Sequence, residues 1–182
     1  HYSGCMKGNA SLRAPEQQAV IVAQSSVPRF DPNELSLDGV HVVTGGFSGL
    51  GLLTARLLVD EGARELCFLS QSSCVAQGDD ADWAVLTACS RVQSAVCDIS
   101  DGQAVREAVL AATRRGGSMH LSSVFHASQQ LDVTPLASLN VMKLRETYRP
   151  KVNGASVLHT ASQNTPLHLF NVCASAAGLV KS

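Results

Sequence analysis

The mix of apolar and polar residues changes near residue 40. Before it, Gly, Ser, Pro, Gln and Asn surround one short apolar run, Ala19 to Ala23, and Pro15, Pro28 and Pro32 punctuate the stretch. Residues 1–39 are therefore expected to be a linker or the tail of a preceding domain, with room for one edge strand. From Val40 the pattern becomes regular. Val40-His41-Val42-Val43-Thr44 predicts a strand, Gly49 to Asp60 has a helical period, and Glu65 to Ser70 predicts a second strand. Ala81 to Ser90 suits a helix and Val92 to Cys97 a third strand. Asp101 caps a helix running to about Arg115, with Gly116-Gly117 as its stop. Met119 to His126 predicts a fourth strand. A polar loop leads to Pro135, a helical region spans about Ser138 to Ala161 with an interruption near Pro150, and Leu167 to Cys173 predicts a fifth strand.

Strands alternating with helices at this spacing require right-handed βαβ crossovers. The expected fold is α/β, a Rossmann-like doubly wound parallel sheet of strand order 3-2-1-4-5 formed by residues 40–182. Composition agrees: 182 residues with 45% hydrophobic and 16% charged can bury one ordinary core. A formal charge of -1 gives no basic surplus for nucleic acid or an anionic membrane. The longest helical apolar stretch, Leu50 to Val59, is broken by Arg56 and is too short to span a bilayer. Six cysteines include no C-x-x-C pair and no Cys/His cluster at ligand spacing, so no metal site is expected. Cysteines in apolar runs suit a reducing, cytoplasmic setting. The chain opens on His1 and closes on Lys181-Ser182 after an apolar run, the pattern of a piece of a longer polypeptide.

The candidate chemistry sits in Thr44-Gly45-Gly46-Phe47-Ser48-Gly49-Leu50-Gly51, directly after the first strand and before an amphipathic helix. In an open parallel sheet the ligand crevice lies beyond the strands' carboxyl ends, where the strand order reverses beside strand 1. Gly45 permits a sharp exit from the strand, Gly49 opens the helix amides to a pyrophosphate, and Gly51 allows close helix packing. Unpaired amides and the helix dipole suit an anion without net positive charge on the protein.

The spacing T-G-x-x-x-G-x-G resembles short-chain dehydrogenases. The stretch Val43 to Ser70, VTGGFSGLGLLTARLLVDEGARELCFLS, resembles the ketoreductase domain of modular polyketide synthases and animal-type fatty acid synthases. So do Cys97-Asp98-Ile99-Ser100-Asp101, Val124-Phe125-His126-Ala127, Pro150-Lys151-Val152-Asn153-Gly154-Ala155 and Phe170-Asn171-Val172-Cys173-Ala174-Ser175-Ala176-Ala177-Gly178. The resemblance covers residues 40–182 in the family's order. It implies an NADP(H)-dependent reductase acting on a 3-ketoacyl thioester carried by an acyl carrier protein, within a polypeptide of several synthase domains.

Residue by residue, the resemblance puts the glycine loop 44–51 and Ser70-Gln71-Ser72 on the cofactor, and Asp98 and Ile99 on adenine. It runs His126-Ala127 along the ribose, with Ser128 beside them, and assigns Lys151 and Ser175 to catalysis. Lys151 would orient the ribose and lower the pKa of a tyrosine acid, while Ser175 would hydrogen-bond the carbonyl. Without the family register Asp98 is a turn cap, His126 a satisfied strand-end histidine, Lys151 a solvated helix lysine and Ser175 a turn residue.

Several positions depart from the family pattern. Gln71 stands where an arginine usually meets the 2′-phosphate, leaving Arg56 or Arg91 as replacement cations. Ser128-Gln129 replaces Ala-Gly beside the nicotinamide. Leu131-Asp132-Val133 and Val180 match neither stereochemical signature. The acid tyrosine and its asparagine would follow Ser175 by a dozen or more residues, beyond Ser182; Tyr2 and Tyr148 are out of register. The alternatives are a non-catalytic nucleotide-binding or scaffolding remnant of a ketoreductase, favoured by Gln71, Ser128 and Gln129, and a free-standing short-chain dehydrogenase, opposed by Lys151.

Overall fold

The computed structural model describes residues 36–115, 120–128 and 135–174. β1 (Val40–Thr44) is buried along its whole length. It pairs in parallel with β2 (Glu65–Ser70) on one side and β4 (Leu121–His126) on the other. β3 (Arg91–Val96) joins β2, and β5 (Leu169–Val172) joins β4, giving the order β3-β2-β1-β4-β5. That is the expected order. A strand covered on both faces carries apolar residues without alternation, which explains Val40, Val42 and Val43.

The crossovers are α1 (Gly49–Asp60), α2 (Asp80–Cys89), α3 (Gly102–Arg115) and a helical stretch before β5. Successive strand side chains point to opposite faces, so two apolar clusters form. Val42, Cys67, Leu69 and Val124 pack with Val105, Val109 and Ala112 of α3 and with Leu158. Val43, Leu66, Phe68 and Phe125 pack with Leu52, Ala55 and Leu58 of α1 and Leu86 of α2. Each large side chain buried this way contributes roughly 1.5–3 kcal/mol. Burial pushes the Cys67 thiol up to about 12 and also raises Cys97, so both behave as small hydrophobes rather than nucleophiles.

Element ends differ from expectation by one or two residues. Asp101 caps α3 as predicted, its Oδ1 accepting from the amides of Gln103 at 2.9 Å and Ala104 at 3.2 Å. The helical region around Pro150 is a series of pieces: a 3₁₀ turn (Leu136–Ser138), α4 (Val141–Tyr148), a π turn (Arg149–Asn153) and α5 (Gly154–Ser162). Pro150 has no N–H to donate, so the ladder breaks there. The turn widens until the Gly154 amide donates to the Arg149 carbonyl five residues back. α5 then packs so tightly that a Cβ on Gly154 would stand 2.8 Å from Ile99 Cδ1 and 3.2 Å from His126 Cε1. Gly116-Gly117, Met119 and any edge strand in residues 1–35 lie outside the described residues.

Candidate functional site

A cleft of about 560 Å³ opens beyond the carboxyl ends of β1, β2, β4 and β5. The glycine loop supplies Gly45, Ser48, Gly49, Leu50 and Gly51; the end of β2 and the residue after it supply Ser70 and Gln71. Ile99, Ala127, Ser128 and Lys151 complete the predicted residues that meet there. Pro150, Cys173 and Ala174 also line it, and the sequence reading did not single them out. Their signal lay in the motifs themselves, since Pro150 precedes Lys151 and Cys173-Ala174 precede Ser175. Ser175, Gln129, Leu131-Asp132-Val133, Val180 and Tyr2 lie outside the described residues.

The loop is shaped by what its glycines lack. A Cβ on Gly51 would collide with the Gly45 carbonyl, so the first turn of α1 packs on the loop's own backbone rather than on the sheet. Gly49 has φ +50° with nothing within 4 Å of its missing Cβ, so the space above it is open to the cleft. Ser48 is extended and its side chain makes no capping bond. The uncapped first-turn amides and the open space over Gly49 form a cradle that fits a dinucleotide pyrophosphate. One acid intrudes: Asp79 Oδ2 accepts from the Gly49 amide at 3.4 Å.

Six predicted residues do not line the cleft. Phe47 is buried, its ring edge-on to Phe68 at 5.3 Å and tilted against Trp83 at 5.3 Å, so it anchors the loop from below. A Cβ on Gly46 would press on the Phe68 ring at 2.8 Å. Ser72 is exposed in a turn, its amide 3.4 Å from Ser70 Oγ and its Oγ accepting from the Cys74 amide at 3.2 Å.

Thr44 and His126 form a buried joint. The Lys151 carbonyl, 3.0 Å away, must accept, so His126 Nε2 carries the proton. Nδ1 then accepts from the Thr44 hydroxyl at 2.8 Å, and Thr44 Oγ1 accepts the amides of Ala127 and Ser128, each at 3.1 Å. Every partner is satisfied with a neutral ring. Burial and the nearby Lys151 charge hold the His126 pKa below 6.5, against the opposing hydrogen bonds to the Lys151 and Pro150 carbonyls. His126 therefore ties the end of β4 to the π turn that carries Lys151, and the ring itself does not face the cleft.

Asp98 follows the end of β3 and is not among the cleft-lining residues. Its Oδ1 accepts from the Ser100 amide at 2.9 Å and hydroxyl at 2.7 Å, and its Oδ2 pairs with Arg149 Nη2 at 2.7 Å. The Ser100 bonds chiefly hold its carboxyl below the usual value, with Arg149 and the Gln71 amide adding to the effect. Neither proposed replacement cation reaches this place. Arg56 pairs with Asp60 at 2.9 Å and Asp82 at 3.4 Å. Arg91 pairs with Glu65 at 3.0 Å, where β2 and β3 begin, at the sheet end opposite the cleft.

The family model described as the KR domain matches residues 39–182. The chain belongs to the KR domain family. This KR chain is 37% identical over 154 residues to the polyketide synthase GfsB of Streptomyces halstedii, covering 84% of the chain and 3% of the synthase. It is 34% identical over 145 residues to the highly reducing polyketide synthase dmxL2 of Cryptosporiopsis sp., covering 79% and 6%. A solved A1-type ketoreductase superposes with a TM-score of 0.72 at 29% identity, over 84% of this chain and 32% of its own. A-type ketoreductases from a modular polyketide synthase superpose at 0.70 and 30% identity, over 79% and 30%. The KR chain thus spans about a third of those structures and a few per cent of synthases that are themselves large multidomain proteins. KR domains of this fold are nicotinamide-dependent. No helix among the described residues is long and apolar enough to cross a membrane.

Proposed function

We propose that the cleft is the NADPH site of a ketoreductase that reduces a 3-ketoacyl thioester, delivered by an acyl carrier protein, to the 3-hydroxyacyl product. The observation that carries this reading is the convergence of the uncapped amides of α1 with Lys151 and Ala174, the neighbour of Ser175, on one cleft. When bound, NADPH supplies the hydride. The chain's own residues bind and orient. The first-turn amides hold the pyrophosphate, Ile99 walls the adenine end, and Lys151 orients the ribose from a π turn fixed by His126. Ser175 donates a hydrogen bond to the substrate carbonyl and stabilises the developing alkoxide. A tyrosine acid completes the set in this reading, in the wider polypeptide with residues 1–39 as linker, 40–182 as part of the ketoreductase domain and the cytoplasm as its location.

A second reading, a nucleotide-binding scaffold without turnover, is favoured by Gln71, Ser128 and Gln129, which depart from the family pattern. Calorimetric titration of the folded chain with NADPH tests the site: one-to-one binding is expected, and its absence overturns the assignment. Reduction of a 3-ketoacyl thioester by the polypeptide that carries this chain separates enzyme from scaffold.

A further inference from the structure

We propose that Arg149 is the specificity-determining residue that reads the adenosine 2′ position and selects a 2′-phosphorylated dinucleotide. The inference rests on the reading of the cleft as a dinucleotide site. In a sheet of this type the ribose 2′ position is met by an acid roughly 20 residues beyond the glycine motif, or a 2′-phosphate by an arginine nearby. Gln71, directly after β2, is neither. It can hydrogen-bond a ribose but cannot neutralise a phosphate.

Gln71 nevertheless stands near a cation, the one paired with Asp98 at the end of the neighbouring strand. β2 and β3 end in register, Ser70 opposite Val96 with the Cys97 amide donating to the Ser70 carbonyl at 2.9 Å, so Gln71 and Asp98 leave the sheet side by side, and the Asp98 carboxylate holds Arg149 Nη2 at 2.7 Å. Arg149 Nε donates to Ser100 Oγ at 2.8 Å, and that hydroxyl donates to Asp98 Oδ1 at 2.7 Å. Two side chains, Asp98 and Ser100, therefore hold one guanidinium at the end of the sheet where Gln71 follows β2. The π turn fixes the backbone behind it, because Arg149 is its first residue and Pro150 and Lys151 next to it line the cleft.

A guanidinium has five N–H donors in a planar fork. Two are used here, which leaves three on a side chain that remains 62% exposed. A 2′-phosphate can accept from them without breaking the pair with Asp98. A 2′-hydroxyl gains little from the same donors. Because Asp98 already balances the charge, the expected preference is modest, about tenfold for the phosphorylated form, the size of one partly exposed charge-assisted contact.

The test is calorimetry on the full chain with NADPH, NADH and 2′,5′-ADP, with circular dichroism confirming the fold of each variant. Arg149→Gln is expected to weaken NADPH and 2′,5′-ADP about tenfold and to leave NADH within about twofold. Arg149→Lys keeps part of the preference, and Gln71→Arg added to Arg149→Gln restores it even though the Asp98 pair is gone. Equal weakening of NADPH and NADH would overturn the proposal, reducing Arg149 to a support for Asp98, and so would unchanged binding of both. Wild-type protein that binds NADH and NADPH equally overturns this proposal alone. Wild-type protein that binds neither overturns the dinucleotide reading and this proposal with it.

Discussion

The two walls of the cleft are built by different means. The wall at residues 44–51 is a contiguous run of backbone whose form depends on missing side chains at Gly49 and Gly51. The opposite wall collects Ile99, Ala127, Ser128, Pro150, Lys151 and Cys173 from distant segments. Side-chain bonds among Thr44, His126, Asp98, Ser100 and Arg149 hold that wall together. The first wall should fail when atoms are added, the second when polar atoms are removed.

Adding one carbon gives the largest effect. Gly51→Ala puts a methyl group into the Gly45 carbonyl, which is backbone and cannot step aside. The expected loss is about 3 kcal/mol in urea unfolding, as for an overpacked site. Gly49→Ala sharpens the contrast. Nothing stands within 4 Å of the new methyl, so stability falls only by the left-handed strain, about 1–2 kcal/mol. Dinucleotide affinity should fall much more steeply, because the methyl occupies the open side of the cradle. Equal losses in the two measurements would show that Gly49 serves only the turn.

Deleting one hydroxyl is next. Thr44→Val preserves shape while leaving the Ala127 and Ser128 amides and His126 Nδ1 without their shared partner. Leaving such groups unpaired costs about 2 kcal/mol, read as a lowered unfolding midpoint. Cofactor affinity should drop as well, since Ala127, Ser128 and Lys151 all depend on this joint. A neutral result would mean that water replaces the hydroxyl.

This asymmetry also explains what was legible in the sequence. The glycine loop, all five strands and their order follow from contiguous patterns, because β1 and β2 are near-continuous apolar runs and Thr44 to Gly51 is one motif. The second wall is a tertiary product. Nothing in the spacing of residues 98, 100 and 149 announces that Ser100 and Arg149 share the Asp98 carboxylate, so Arg56 and Arg91 stood out as candidate cations and Arg149 did not. Pro150 marked a break in the helix, but its outcome as a π turn depends on α5 packing on Ile99 and His126. Phe47 stood within the loop motif, yet its burial depends on Phe68 and Trp83 from other elements.

Protonation offers a gentler way to strain the second wall. His41 and His126 are both held below 6.5, burial being the larger cause in each. As pH falls through 6.5 the unfolded chain takes up a proton on each ring while the folded chain resists. Stability is therefore complete above 6.5 and declines below it, toward the depressed folded values. The slope is at most about 1.4 kcal/mol per pH unit for each ring. His41 touches Ser123 at 2.7 Å and the Leu37 carbonyl at 3.1 Å, near the amino end of β1 and away from the cleft. His126→Gln and His41→Gln should each remove part of the slope in urea midpoints measured from pH 7.5 to 5.5. Only His126→Gln should also weaken dinucleotide binding. Loss of binding in both variants would make the walls one cooperative unit.

The smallest effect expected is a gain. Asp79 places a carboxylate oxygen 3.4 Å from the Gly49 amide, on the same helix start that the cradle offers to a pyrophosphate. Its loop is tied down by the Ala76 amide donating to the Phe47 carbonyl at 3.1 Å, so the backbone cannot easily carry the charge away. As N-cap of α2 Asp79 makes no side-chain bond to that helix, so Asp79→Asn removes repulsion without uncapping it. Dinucleotide affinity should rise about threefold at low ionic strength, the scale of one helix-terminus charge, and the gain should shrink in high salt as screening grows. An affinity gain that salt does not reduce would point to altered shape. No gain at any salt would mean that the carboxylate swings clear and the backbone wall accepts its anion unopposed.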